Sequence, residues 1–396
     1  MNFLVFVFML CICSFAESGY DSLRKKLALE VFSENANKSI VVSSLLVRFP
    51  LCKLALFAQE TAKDELLNVL GFNSDSMLQM CYESLKEVMS QFKNIDFVTI
   101  NKIIVNYTAD INKAFLNNSD FGVTIDQVSY NYPKYSVSFI NKQIDRVLYK
   151  RITDVIEPSD IINNKTSILI VNVAYLKVTW EFPFDIKLTK DMKFHHQNGS
   201  VSMVPMMSKS DMYFYLEDEI NNLQVVNIRL ASFGLTMTLV VPSRPKGLGS
   251  LLQQLSNDSD FLRKIYKRMR PDNVNVMLPR FKIKTSVNWN KFLNKIGVKQ
   301  IFNETNSGLS GILKENSATK YIYLSNCKQK NYIHVDEMGV FRHPIEELPP
   351  DLQKRETINE ILADHPFYFS INLQTDYHNQ WNAQELLTGV YYGPHT

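Results

Sequence analysis

One segment limits this chain's choice of fold more than any other. From Val335 to Phe367 it reads V-D-E-M-G-V-F-R-H-P-I-E-E-L-P-P-D-L-Q-K-R-E-T-I-N-E-I-L-A-D-H-P-F. A strand-like run ends at Asp336-Glu337 and Gly339. A polar, proline-bearing connection of about 25 residues follows, where a typical connection has about five. An apolar run then resumes at His365-Pro366-Phe367. A connection that long inside a compact domain is functional or disordered. The fold must therefore frame it between two well-anchored strands.

The rest of the composition is globular. Of 396 residues, 45% are apolar and 21% charged, and the net charge of +3 is too small to imply nucleic-acid binding. Residues 1–16 resemble a signal peptide. Phe3 to Phe15 is almost wholly apolar, too short to span a bilayer easily, and Ser14-Phe15-Ala16 sets small residues where a signal peptidase reads. Cleavage after Ala16 leaves a mature domain of residues 17–396 with no membrane span, expected to be secreted and monomeric. Seven N-x-Ser/Thr sequons, at Asn37, Asn106, Asn117, Asn164, Asn198, Asn257 and Asn303, are glycosylation candidates in such a chain. Cys52, Cys81 and Cys327 remain after cleavage. With no CxxC spacing they form neither a disulfide framework nor a zinc site, and buried free thiols are expected.

Helical periodicity dominates the first half. It marks Ser22–Ser33, Ser43–Phe57, Lys63–Leu70 with Gly71 as its C-cap, Ser76–Phe92 and Val137–Ile152. The second half is strand-rich. Ser167–Tyr175 is a β-branched apolar run expected to be buried on both faces. Leu235–Val241 and Val274–Leu278 end at prolines, Asn288–Ile296 reads as a helix closed by Gly297, and Phe367–Leu373 and Glu385–Tyr392 read as strands. No repeat or linker interrupts the pattern, so one α+β unit is expected.

These elements resemble the serpin family in order and spacing over nearly all of Ser22–Pro394. The resemblance is carried by Ile40–Phe72, by Val171-Asn172-Val173-Ala174-Tyr175 through Trp180-Glu181-Phe182-Pro183-Phe184, and by Phe194-His195 with Val204-Pro205-Met206-Met207. It continues in Leu278-Pro279-Arg280-Phe281, Ala363-Asp364-His365-Pro366-Phe367 and Gly389-Val390. It implies an α+β serpin fold of three β-sheets and about nine helices, with an exposed reactive-centre loop over about 339–363. It further implies a partner, a serine protease, that cleaves the loop and is trapped as the cleaved loop enters the large sheet. Such an inhibitor supplies no catalytic residues and needs no cofactor or metal.

The leading half of this loop departs from what insertion needs. Inhibitory members have small residues after the glycine, whereas Gly339 is followed by Val340-Phe341-Arg342-His343-Pro344-Ile345-Glu346-Glu347. Strand alternation puts Val340, Arg342, Pro344 and Glu346 on one face and Phe341, His343, Ile345 and Glu347 on the other, so either inward face carries a charge. Pro344 would also remove a ladder donor in mid-sheet. Around the sheet opening, the family's second serine after Ser43 is Leu46 and its histidine is Gln329. Asn172 and Trp180 are present, and Glu337 is expected to pair with Arg280. The scissile bond falls after Gln353 counted from Gly339 and after Arg355 counted from Pro366. Lys354-Arg355, followed by Glu356, offers a trypsin-like cleavage point, although any solvated loop can contain a basic pair.

Arg263, Lys264, Lys267, Arg268 and Arg270 cluster within eight residues. They resemble the basic helix of heparin-binding serpins, a glycosaminoglycan site, but charge runs more often mark a solvated face. His195-His196 lacks a third ligand at metal spacing. No phosphate loop or nucleophile elbow occurs, so no enzyme is expected. The family reading is inhibition of serine proteases. The hinge favours a non-inhibitory or reversible mode, either a binding or carrier protein or a cleavable protease substrate.

Overall fold

The computed structural model describes residues 27–72, 97–116, 122–161, 167–232, 234–258, 260–319, 321–338, 359–374 and 383–394. The chain before Leu27, the predicted helix over Ser76–Phe92, and Gly339–Ile358 lie outside these residues. So do the candidates Gly339, Val340, Arg342, Pro344, Gln353, Lys354, Arg355 and Glu356, and the sequons at Asn117 and Asn164.

The first half is helical, as its apolar spacing dictates. Helix α1 covers residues 27–34 and buries Leu27 and Val31. Strand β1 (Ile40–Val42) leads into α2 (Ser44–Phe57), whose first turn is capped by Ser43: its Oγ accepts a hydrogen bond from Leu46 N. Pro50 lies inside α2, where it removes one helical donor. Burial from Ser44 through Ala55 holds the helix in place regardless. Helix α3 spans Glu60–Leu70, three residues longer at its start than the apolar period alone suggests. It ends on Gly71 at φ 78°, the left-handed conformation that glycine adopts without a Cβ penalty. Strand β2 (Phe97–Asn106), the short helix α4 (Lys113–Leu116), strand β3 (Thr124–Val128) and helix α5 (Pro133–Val147) follow. Pro133 sets α5's first turn, so that helix begins four residues before the predicted Val137 and ends before Leu148.

From β4 (Ile168–Lys177) onward strands dominate: β5 (Lys190–His195), β6 (Val201–Asp218), β7 (Leu223–Arg229) and β8 (Leu235–Pro242). After α6 (Leu248–Asn257) and α7 (Phe261–Arg268) come β9 (Arg270–Pro279), β10 (Phe281–Asn288) and α8 (Asn290–Lys295). Strands β11 (Leu324–Val335), β12 (Asn359–Leu362), β13 (Phe367–Gln374) and β14 (Ala383–Tyr391) complete the order. Five strands form one sheet in the order β10-β11-β4-β2-β3. Nine form the other, β1-β14-β13-β8-β7-β6-β9-β12, with β5 paired to β6. Three sheets are expected from the resemblance, whereas the described strands form two. The reason is β6: its 18 residues pair β5, β7 and β9, so what would be separate sheets share one continuous strand.

The described residues divide into two compact units of discontinuous chain, one drawn from the described parts of 27–31, 43–175 and 285–332, the other from those of 32–42, 176–284 and 333–394. In the first, Val137, Ile140, Ile144 and Leu148 of the α5 segment pack on Ile100 and Ile104 of β2 and Leu169, Val171 and Val173 of β4. Each such buried aliphatic side chain contributes roughly 1.5–3 kcal/mol. β4 is buried from Ile168 through Leu176, as its unbroken apolar run requires. In the second unit an aromatic cluster joins Phe281, Phe367, Phe369 and Tyr391, with Phe281 and Tyr391 stacked at 4.8 Å. Cys52 and Cys327 are buried free thiols, and burial alone pushes the Cys327 thiol well above its usual range.

Candidate functional site

Two polar clusters carry the geometry that bears on function. The first frames the start of the long connection. The last residues of β11 continue into Asp336-Glu337-Met338, and backbone and side-chain bonds fix this turn. Trp180, fully buried, donates from Nε1 to Asp336 O at 2.7 Å and from its backbone N to Met338 O at 3.0 Å. Phe184 N donates to Glu337 O at 3.1 Å, and Met338 N to Asp336 Oδ1 at 3.0 Å. Arg280 Nη2 donates to Glu337 Oε1 at 2.5 Å, and Thr189 Oγ1 donates to the same oxygen at 2.7 Å. Burial disfavours the Glu337 carboxylate, but the donors Arg280 and Thr189 outweigh it and hold the carboxyl below its usual range. The pairing in turn raises the Arg280 guanidinium. Two residues before that turn, at the end of β11, burial holds the His334 imidazole below its usual range despite Asp336 at 3.4 Å, and Lys282, Lys177 and Arg280 push the same way. Thr189 carries no local sequence signal that would have marked it.

The far end of the connection is pinned as well. β12 runs parallel to β9, with Asn359 opposite Val274 and Leu362 opposite Met277. Asn359 Nδ2 donates to Asp272 Oδ2 at 2.8 Å. His365 bridges Asp364 Oδ1 at 2.7 Å and Pro242 O at 2.6 Å, and Phe367 enters the aromatic cluster. Glu337 at one end and His365-Pro366-Phe367 at the other are therefore rigid anchors.

The second cluster lies inside the first unit, where β11, β4, β2 and the start of α2 approach one another. Gln329 Nε2 donates to Ser43 O at 2.8 Å, and its Oε1 accepts from Ser43 N at 3.0 Å, so one amide grips both backbone groups of the α2 cap. Asn331 Nδ2 donates to the same Oε1 at 2.9 Å. Asn172 Nδ2 donates to Leu46 O at 3.1 Å and to Asn101 Oδ1 at 2.8 Å. Asn172 Oδ1 is buried with no hydrogen-bond partner. Leu46 is fully buried and contributes only its backbone. The network is thus built of amides, with no group that titrates near neutral pH. Asn331 and Asn101 are its unforeseen members. Asn331 could have been found from strand period, since it sits two residues from Gln329 on the same face of β11.

The remaining candidates sit on the surface. In the α7 region Phe261, Leu262 and Ile265 face inward, and the basic residues are largely matched by acids. Arg263 pairs with Asp260 at 2.9 Å, Lys264 with Asp258 at 2.7 Å and Arg268 with Asp218 at 2.8 Å. Arg270 Nη1 donates to two carbonyls, those of Lys267 and Met269. Burial opposes the Asp218 carboxylate, but Asn221 and Arg268 hold it below its usual range. His196 bonds Ser202 Oγ at 2.8 Å and Tyr392 O at 3.1 Å, which occupies both ring nitrogens. The sequon residues Asn37, Asn198, Asn257 and Asn303 are exposed, and Asn106 is half-buried.

Helices and sheets in this order, with two strand ends anchored on either side of residues 339–358, define an α+β fold. A family model described as Serpin (serine protease inhibitor) matches residues 21–378, and the chain belongs to that family. Antitrypsin of Bombyx mori is 26% identical over 362 residues, covering 90% of this chain and 91% of the relative. Antichymotrypsin-2 of the same moth is 28% identical over 325 residues, covering 82% and 85%. Among solved structures, Serpin48 of Tenebrio molitor superposes with a TM-score of 0.80 at 23% identity, covering 96% of this chain and 98% of its own. The family consists mostly of protease inhibitors, and its members act without catalytic residues of their own.

Proposed function

We propose that this chain is a secreted glycoprotein that presents residues 339–358 to trypsin-like serine proteases as an exposed, cleavable loop, since the expected 359–363 end of that loop is taken up by β12 and the buried Ala363, and that it engages them reversibly or as a substrate without covalent trapping. One observation carries the reading. β4 and β11 are direct neighbours in the five-stranded sheet, and the segment that would have to enter between them opens Val340-Phe341-Arg342-His343-Pro344. Either face of that segment would bury a charge, which costs several kcal/mol when unpaired, and Pro344 would interrupt the ladder. Trapping requires insertion to outrun hydrolysis of the acyl-enzyme, and both features slow it.

Cleavage is expected at Lys354 or Arg355, within the Gln353–Glu356 window. A binding or carrier role for the framed loop is the second reading, and the anchors at Glu337 and His365 support it because they hold the loop ends whether or not a protease is present. Glycosaminoglycan binding by Arg263, Lys264, Lys267, Arg268 and Arg270 is a weaker part of the reading, since Asp260, Asp258 and Asp218 already neutralise three of the five. The test is incubation of the mature protein with trypsin followed by denaturing electrophoresis. The expected product is a cleaved chain with no protease attached. A complex that survives detergent would show covalent trapping and overturn the reading.

A further inference from the structure

The outer face of α5 has a composition that the loop reading does not explain. Its inner face, Val137, Ile140 and Ile144, is buried on the sheet. Tyr132, Tyr135, Phe139, Lys142 and Arg146 fall at intervals of three and four residues, so they share one line along the opposite face. Tyr132 is 69% exposed, Tyr135 73% and Phe139 44%. Lys142 and Arg146 are exposed too, as is Lys134 beside the line. None of these three cations has an ion pair among the described residues, in contrast to the acid-matched cations around α7. The only acid in the helix, Asp145, lies off the line and is half-buried. No sequon falls between Asn117 and Asn164, so no attached glycan on this stretch would cover the helix.

An exposed apolar patch rimmed by charge marks a docking surface for protein or membrane. The chemistry separates the two. Protein interfaces favour arginine and are depleted in lysine at their core. Here two of the three cations are lysine, and they lie on the exposed outer face of a helix. Tyrosine rings and lysines side by side are the pattern of surfaces that rest at a bilayer interface, where the ring sits at headgroup depth and the ammonium meets lipid phosphate or carboxylate. A soluble polyanion would use the cations but would leave Phe139 exposed without a partner. We propose that the outer face of α5 is a docking site for an anionic phospholipid surface, gripped by Lys134, Lys142 and Arg146 and seated by Tyr132, Tyr135 and Phe139. The contact is peripheral, since no helix among the described residues is long and apolar enough to cross a membrane. It is independent of how the loop works.

The test is sedimentation of the full chain with vesicles of phosphatidylserine and phosphatidylcholine, and with vesicles of phosphatidylcholine alone. Binding is expected only to the first and should weaken with salt. Each cation near an anionic surface is worth roughly fivefold, so Lys134→Glu/Lys142→Glu/Arg146→Glu should lose well over tenfold. Tyr135→Ser/Phe139→Ser should also lose binding, whereas Lys264→Glu/Lys267→Glu on α7 should bind like the wild type. Melting temperatures of all variants check that the exposed substitutions leave the fold intact. Three results would overturn the proposal: no binding to phosphatidylserine vesicles, equal loss in the α7 variant, or retention on heparin that the α5 charge reversals abolish while vesicle binding is absent.

Discussion

At the scale of single residues, Glu337 couples charge to the anchoring of the loop. Its carboxyl titrates below the ordinary value of 4.5, so the ion pair with Arg280 is fully formed above that value and is lost as pH falls through the lowered one. His334 works in a different window. Its imidazole titrates below the ordinary 6.5, so the fold favours the neutral ring, and the penalty for protonation is incurred as pH drops from there towards the lowered value. Stability should therefore fall in two acid steps, followed by urea midpoints across a pH series. Glu337→Gln should remove the lower step and cost about 1 kcal/mol at neutral pH, a modest figure because Arg280 is partly solvated. An unchanged pH profile in that variant would contradict the assignment. Gln329 is a second residue with a sharp expectation. Gln329→Ala strips two hydrogen bonds from the buried backbone of Ser43 and should lower unfolding free energy by about 2–3 kcal/mol, with no dependence on pH.

At the scale of elements, β14 shows how closely the second unit is packed. A Cβ at Gly389 would lie 2.3 Å from Phe369 Cζ and 2.7 Å from Ile40 O, so neighbours on both sides of the strand leave no room. Gly389→Ala should destabilise by about 1–3 kcal/mol through overpacking, read as a lower melting temperature. Most elements of this kind were legible in the sequence because their signals are local. The apolar run of β4, the glycine at Gly71 and the prolines that end β8 and β9 each act within a few residues. The joining of sheets through β6 was not legible. Its burial follows no regular period along 18 positions, and several of its apolar side chains, Val201, Met203 and Met212 among them, face solvent, so neither a helical nor a strand period stands out. Likewise the basic run around α7 and its neighbours Asp258 and Asp260 are visible in sequence, whereas the partner of Arg268, Asp218, comes from fifty residues earlier. The Glu337–Arg280 contact could be anticipated because the family resemblance supplied the partner. The Thr189 contact could not, since nothing near Thr189 in the sequence points to it.

At the scale of the whole molecule, the question is whether the five-stranded sheet accepts a sixth strand. A loop that entered the sheet as a sixth strand would add a new set of ladder hydrogen bonds and bury further apolar surface, and both would raise the melting temperature of the cleaved form. Here the frame of the loop is complete at both ends, while the residues that would enter the sheet are bulky, charged and interrupted by Pro344. Gln329 holds β11 to the backbone of Ser43 at the start of α2, and Asn172 holds β4 to Leu46 O of the same helix, so parting β4 from β11 would strain one grip on α2 or the other. The most direct measurement is the melting temperature of the mature protein before and after limited trypsin cleavage at Lys354 or Arg355. Little or no rise on cleavage is expected if the loop stays outside the sheet. A large rise would show that the loop inserts and would contradict the account.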